Sequence, residues 1–161
     1  MGSHRALESF SSGVVAVLSY SLAKGEAGMA RANRYMMPGY TYHLTHRCVN
    51  KEFLLRFQKD RNAYRRWLRE GAERYGVSLF GYCVTKNHVH IIVRVDSTES
   101  VARMIQLVAG TTARAFNRRK DRTGAFWAGQ YHCTLIQDGE HLWRCLWYVD
   151  LNMVRAGAVD H

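Results

Sequence analysis

Four runs rich in β-branched and aromatic residues alternate with three stretches of helical periodicity. Their order is strand, helix, strand, strand, helix, strand, helix. That order predicts an α+β fold: the split βαβ pattern of a ferredoxin-like antiparallel sheet with helices on one face, followed by a C-terminal helix. The 161 residues, 47% hydrophobic and 22% charged, are enough for one domain with a real core. The competing architecture is another α+β sandwich.

The first strand is expected over Tyr40 to Val49, after the turn signal Pro38-Gly39. Its histidines, His43 and His46, fall on opposite faces of a regular strand. A helix follows over Gln58 to Tyr75, where Tyr64, Trp67, Leu68, Ala72 and Tyr75 recur at helical spacing and Gly76 supplies a stop. Val77 to Thr85 and His88 to Val95 form a hairpin about Lys86-Asn87. Asp96 with Glu99 reads as a capping box for a helix to about Arg118, carrying Val101, Met104, Ile105, Val108 and Phe116 on one stripe. His132 to Gln137 is the fourth strand. The last helix runs from Glu140 to about Asn152 and buries Leu142, Cys145, Leu146 and Val149. Residues 1–28 differ from the rest and are expected to be a poorly ordered N-terminal extension, with the working domain over 29–161. The apolar run Ser12 to Ala23 is too short to span a membrane, and Glu8 and a barely basic start disfavour a signal peptide. A cytoplasmic protein is expected.

Charge narrows the partner. Against 13 acidic residues stand 23 Lys and Arg, a net charge of +10. Such a balance points to a polyanion, nucleic acid first. No long helix with a concentrated basic face suggests a membrane surface. The basic residues crowd the end of the second helix: Arg114, Arg118, Arg119, Lys120 and Arg122. The cluster reads either as helix-dipole complementation and solubility or as a phosphate-contacting patch, and the whole-chain charge favours the patch. Trp127, in the aromatic stretch Phe126 to Tyr131, suits either base stacking or the core. The four cysteines form no C-x-x-C pair, so they read as reduced thiols rather than a zinc site.

Two features carry chemistry. His88 and His90 lie at i and i+2 of a strand, so they share one face with Val89 on the other. Two adjacent imidazoles can bind one metal ion, although His-x-His alone is a weak motif. In the last helix Tyr148 and Asn152 are one turn apart on one stripe, which Arg144 and Arg155 extend. Tyr148 lies about 60° round from Cys145, at the edge of the buried stripe. A phenol of ordinary pKa is a poor nucleophile at neutral pH. A metal-polarised phosphate or basic neighbours would make attack feasible.

Three segments occur in order: Asn87-His88-Val89-His90, then Phe126-Trp127-x-Gly129-x-Tyr131, then Tyr148-Val149-Asp150-Leu151-Asn152-x-Val154-Arg155-Ala156-Gly157. Together they resemble the single-tyrosine HUH transposases of the IS200-like group, most of all the REP-associated branch. Tyr40-x-Tyr42-His43-x-Thr45-x-Arg47 resembles that branch's first strand. The resemblance covers about Met37 to Val159. Met153 stands where proline is common, Lys86 where proline often precedes Asn-His, and Cys48 where glycine is common.

The resemblance implies an enzyme that cleaves single-stranded DNA beside a hairpin and leaves a 5′-phosphotyrosine link with a free 3′-hydroxyl. It implies Tyr148 as nucleophile, with His88, His90 and Asn152 holding a divalent metal, Mg²⁺ or Mn²⁺. Arg31, Arg34 and Arg47, with Arg155 and the basic residues and Trp127 named above, are the expected DNA contacts. Monomer and homodimer are both open. Two other readings are a non-catalytic hairpin-DNA-binding protein derived from a transposase, and a rolling-circle replication initiator or relaxase.

Overall fold

The computed structural model describes residues 36–155, with backbone alone at residues 98 and 153–155. The expected extension over 1–28, its boundary, Arg31 and Arg34 lie outside the described residues. Strand β1 (Thr41–Arg47) leads through a 3-10 turn (Val49–Lys51) into helix α1 (Gln58–Tyr75). The hairpin β2 (Ser78–Val84) and β3 (His88–Arg94), helix α2 (Thr98–Lys120), strand β4 (His132–Ile136) and helix α3 (Gly139–Arg155) follow. The sheet order is β2-β3-β1-β4, and every neighbouring pair is antiparallel. This is the expected split βαβ topology.

Strand alternation divides the molecule into three layers. Tyr42 and Leu44 of β1 and Val89, Ile91 and Val93 of β3 face one way, into a core closed by Tyr64, Leu68 and Ala72 of α1 and Met104, Ile105 and Val108 of α2. Each Val, Leu, Ile or Met side chain among these taken out of water contributes about 1.5–3 kcal/mol. The other face carries a smaller cluster, in which Leu142, Cys145, Leu146 and Val149 of α3 pack on Cys83, Ile92 and Ile136. The predicted buried stripe of the last helix is therefore the observed one. Helix α3 packs mostly on β2 and β3, and His43, Thr45, His88 and His90 share the sheet face it covers, His90 buried and the others half-buried.

Local chemistry sets the boundaries. Gly76 ends α1 in the left-handed region (φ 62) and its N–H donates to Ala72 and Glu73 carbonyls, a conformation a side chain would strain. The expected Asp96 cap is corrected to Ser97, and no side-chain oxygen closes the turn. Asp96 instead pairs with Arg94 at 3.8 Å and accepts from Ser78 Oγ at 3.5 Å. Helix α3 continues past Asn152 to Arg155, since Met153, unlike proline, keeps its N–H and does not clash with the preceding turn. All four cysteines are free thiols. Among the described residues no helix is long and apolar enough to cross a membrane.

Candidate active site

The β1–β3 ladder sets Arg47 opposite His88, Thr45 opposite His90 and His43 opposite Ile92. His43 thereby comes beside His90 from the neighbouring strand. Their rings stack with centroids 5.0 Å apart, and His43 Nε2 lies 2.9 Å from His90 Nδ1. Thr45 Oγ1 is 3.4 Å from the same nitrogen. His88 meets His90 edge-on at 4.8 Å. Its Nδ1 is 2.9 Å from Thr85 Oγ1 and 2.8 Å from Asn87 Oδ1.

Helix α3 brings Tyr148 to this cluster. Its ring stands edge-on to His90 at 5.5 Å and to His43 at 6.3 Å. Tyr148 is 43% exposed, so the imidazoles cover only part of it. On its outer side Tyr148 also lines a hollow of about 440 Å³ with Trp143, Trp147 and Leu151. One turn on, Asn152 Nδ2 donates to the Tyr148 carbonyl at 2.9 Å. That contact uses the amide nitrogen and leaves Oδ1 as the end suited to a cation.

Burial governs the charge state. His90 is 5% exposed. Its pKa is pushed down to about 3, first by burial and then by the charges of His43, His88 and Arg47. His43 is lowered by burial and by His141, and His88 by burial and by Arg47. Neutral imidazoles result, the form that ligates metals. His90 Nε2 is buried and has no hydrogen-bond partner among the described residues, which is costly unless something else meets it. With Nδ1 of both His88 and His90 engaged, the arrangement has the outer hydrogen bonding usual for ligating histidines. The residues fit a divalent cation in this respect. Among the described residues no three His, Cys, Asp or Glu are grouped to hold one. Two imidazoles would carry it, with remaining positions falling to amide, phosphate or water oxygens.

The expected DNA contacts are placed unevenly. Arg47 is exposed beside His88, and Arg114 and Arg118 are exposed on α2. Arg119 is engaged internally, at 2.5 Å from the buried carboxylate of Asp60. Arg122 donates to the Ala125 carbonyl at 2.9 Å and pairs with Glu52 at 3.8 Å. Lys120 lies 5.5 Å over the Phe57 ring. Trp127 is half-buried, stacked at 4.1 Å on His46, and its Nε1 donates to the Ala109 carbonyl at 3.1 Å. Only the backbone of Arg155 is described.

Sequence reasoning passed over His43, Thr45, Thr85 and Asn87 as site residues. The signal for His43 and Thr45 was their shared strand parity, which puts them on one face; what was missing was the strand that pairs with them.

Residues 37–150 match the family described as IS200-like transposases. No curated protein matches the sequence. Among solved structures, that of a REP-associated tyrosine transposase bound to a REP hairpin aligns with 81% of this chain and 76% of its own, at TM-score 0.59 and 18% identity. A candidate transposase from Deinococcus radiodurans R1 aligns with 77% of this chain and 97% of its own, at TM-score 0.51 and 18% identity. These two likenesses speak for the fold. The family match runs from the turn before β1 well into α3, and on it the chain belongs to the IS200-like transposase family, enzymes that act on DNA.

Proposed function

We propose that this transposase cleaves single-stranded DNA beside a hairpin and transfers the strand through a 5′-phosphotyrosine link on Tyr148. The observation that carries the reading is the edge-on approach of Tyr148 to the His43 and His90 rings. A phenol in solution lacks such neighbours. Here a part-exposed tyrosine sits beside neutral imidazoles, in a chain of net charge +10. The fold-level likeness to a hairpin-bound transposase adds weight to a hairpin substrate.

In the step proposed, Tyr148 Oη attacks the scissile phosphorus and the bond from phosphorus to the 3′ oxygen breaks. The 5′-phosphate stays on the tyrosine. One proton leaves the phenol and one is taken up by the departing 3′ oxygen, so charge balances and the reverse reaction rejoins the strand. His88, His90 and Asn152 would hold a divalent cation, Mg²⁺ or Mn²⁺, whose chemistry is polarisation of the phosphate and shielding of developing charge. Mn²⁺ suits imidazole better. Arg47, exposed beside His88, is suited to bind the neighbouring phosphate. Arg114 and Arg118, with the outward part of Lys120, are suited to track the backbone.

The test uses a hairpin oligonucleotide nicked so that the cut strand departs. The parent should give a protein–DNA adduct that survives denaturing electrophoresis. Tyr148→Phe keeps the ring and its packing on His43 and His90, so it should fold and bind the hairpin yet give no adduct. An adduct at parental yield would remove Tyr148 from the role. Hairpin binding with no adduct in the parent would favour a binding protein without chemistry.

A further inference from the structure

Asn50 and Lys51, in the 3-10 turn after β1, hold left-handed backbone with φ 49 and φ 58. Non-glycine residues adopt this conformation at a cost in free energy. The turn aims the Lys51 carbonyl at Asn87, whose Nδ2 donates to it at 3.0 Å. The backbone carbonyl of Asn87 accepts from Cys48 N–H at 2.8 Å. Side chain and main chain of Asn87 are thus both tied to the segment that follows β1.

This tie decides the neighbouring histidine. An amide has one donor end and one acceptor end. Turned over, it would set Oδ1 against the Lys51 carbonyl, two acceptors 3.0 Å apart. Oδ1 therefore faces His88 Nδ1, at 2.8 Å. A neutral imidazole meeting an acceptor there must carry its proton on Nδ1. Thr85 Oγ1, 2.9 Å from the same nitrogen, does not decide the matter, because a hydroxyl donates or accepts. Its one proton can go to that nitrogen or to the His88 carbonyl, also at 2.9 Å, which already accepts from Thr85 N–H.

We infer that Asn87 is a positioning residue that locks His88 as the Nδ1–H tautomer, so that Nε2 is held ready as a ligand atom. The strained turn at Asn50 and Lys51 keys the amide. The inference rests on the reading of His88 as a cation ligand, and its test separates the two. In ¹⁵N-labelled protein, at an alkaline pH where free imidazoles are neutral, ring nitrogen shifts report the tautomer without any metal. The parent should show His88 protonated on Nδ1. Asn87→Ala should give a mixture of tautomers, and Mn²⁺ affinity by calorimetry should fall by about 10–100-fold. Asn87→Asp keeps an acceptor against Nδ1 and should keep the tautomer, although it gives up the donation to Lys51. A parent protonated on Nε2, or an Ala variant still wholly Nδ1-protonated, overturns the inference; in the second case Thr85 suffices. Loss of the tautomer in the Asp variant as well would also count against it, since an acceptor alone would then not be enough. A parent with the expected tautomer and no Mn²⁺ affinity sinks the cation reading and leaves the role of Asn87 standing.

Discussion

Asp60 is 4% exposed at the first turn of α1, where a carboxylate is favoured by the helix dipole. One oxygen is taken by Arg119 and the other has no partner among the described residues. Arg119→Ala should therefore act as a folding mutation. Removing the guanidinium leaves a buried charge alone, at a cost of roughly 2 kcal/mol once the half-exposure of Arg119 is allowed for. Urea unfolding reads this, and Arg118→Ala, at an exposed position of α2, should cost under about 0.5 kcal/mol. Two thiols behave in a related way. Burial pushes Cys48 up to about 12 from the usual 9.0 and Cys83 to about 11. At neutral pH Cys48 then holds far less thiolate than a free cysteine. Iodoacetamide followed by peptide mapping should modify neither residue in the folded protein, and both after denaturation. At this scale the sequence was partly legible. Parity marked the faces of His43 and His46, but the partner of His43 is on another strand, and register is a property of the pair. The basic residues after Thr111 read as one patch, although Arg119 and Arg122 have internal partners that nothing local announces.

The element that matters most to the proposed function is α3, because it carries Tyr148 to the histidines. Its seat on β2 depends on Gly81, at the register shift in that strand. A Cβ there would meet Leu146 Cδ2 at 3.0 Å. Alanine needs only a small movement of that flexible side chain. Gly81→Val adds branched bulk and should lift α3, costing about 1–3 kcal/mol and lowering adduct yield while the α1–α2 face keeps its packing. Combining it with Leu146→Ala should recover part of both, measured by thermal melts and the adduct assay; strict additivity of the two changes would contradict the contact. Elements were the most legible level. The α1 bounds follow the periodicity of Tyr64, Leu68 and Ala72, with Gly76 as stop. Errors fell at ends, as at Ser97 and beyond Asn152, where capping and the missing proline decide rather than the apolar pattern.

For the whole molecule, the sheet order followed from the sequence because the split βαβ pattern leaves few connections that pack. Which part of the second face meets Tyr148 did not follow, since it depends on where α3 settles, and the candidate site lies there. The excess of positive charge acts at this scale too. Neutralised phosphates release counterions, so affinity for a hairpin oligonucleotide should fall roughly tenfold or more between about 50 and 200 mM salt if three or more phosphates are met. Fluorescence anisotropy across that range reads the slope, and a flat curve would remove the phosphate-tracking surface. The central claim, that Tyr148 takes the 5′-phosphate, is met most directly by mapping the bond. Adduct formed by the parent protein is digested with protease and nuclease, and the modified peptide is sequenced by mass spectrometry. The account predicts a phosphonucleotide mass on Tyr148, in the α3 peptide. The same mass on Tyr131 or any other residue, with Tyr148 unmodified, would contradict it.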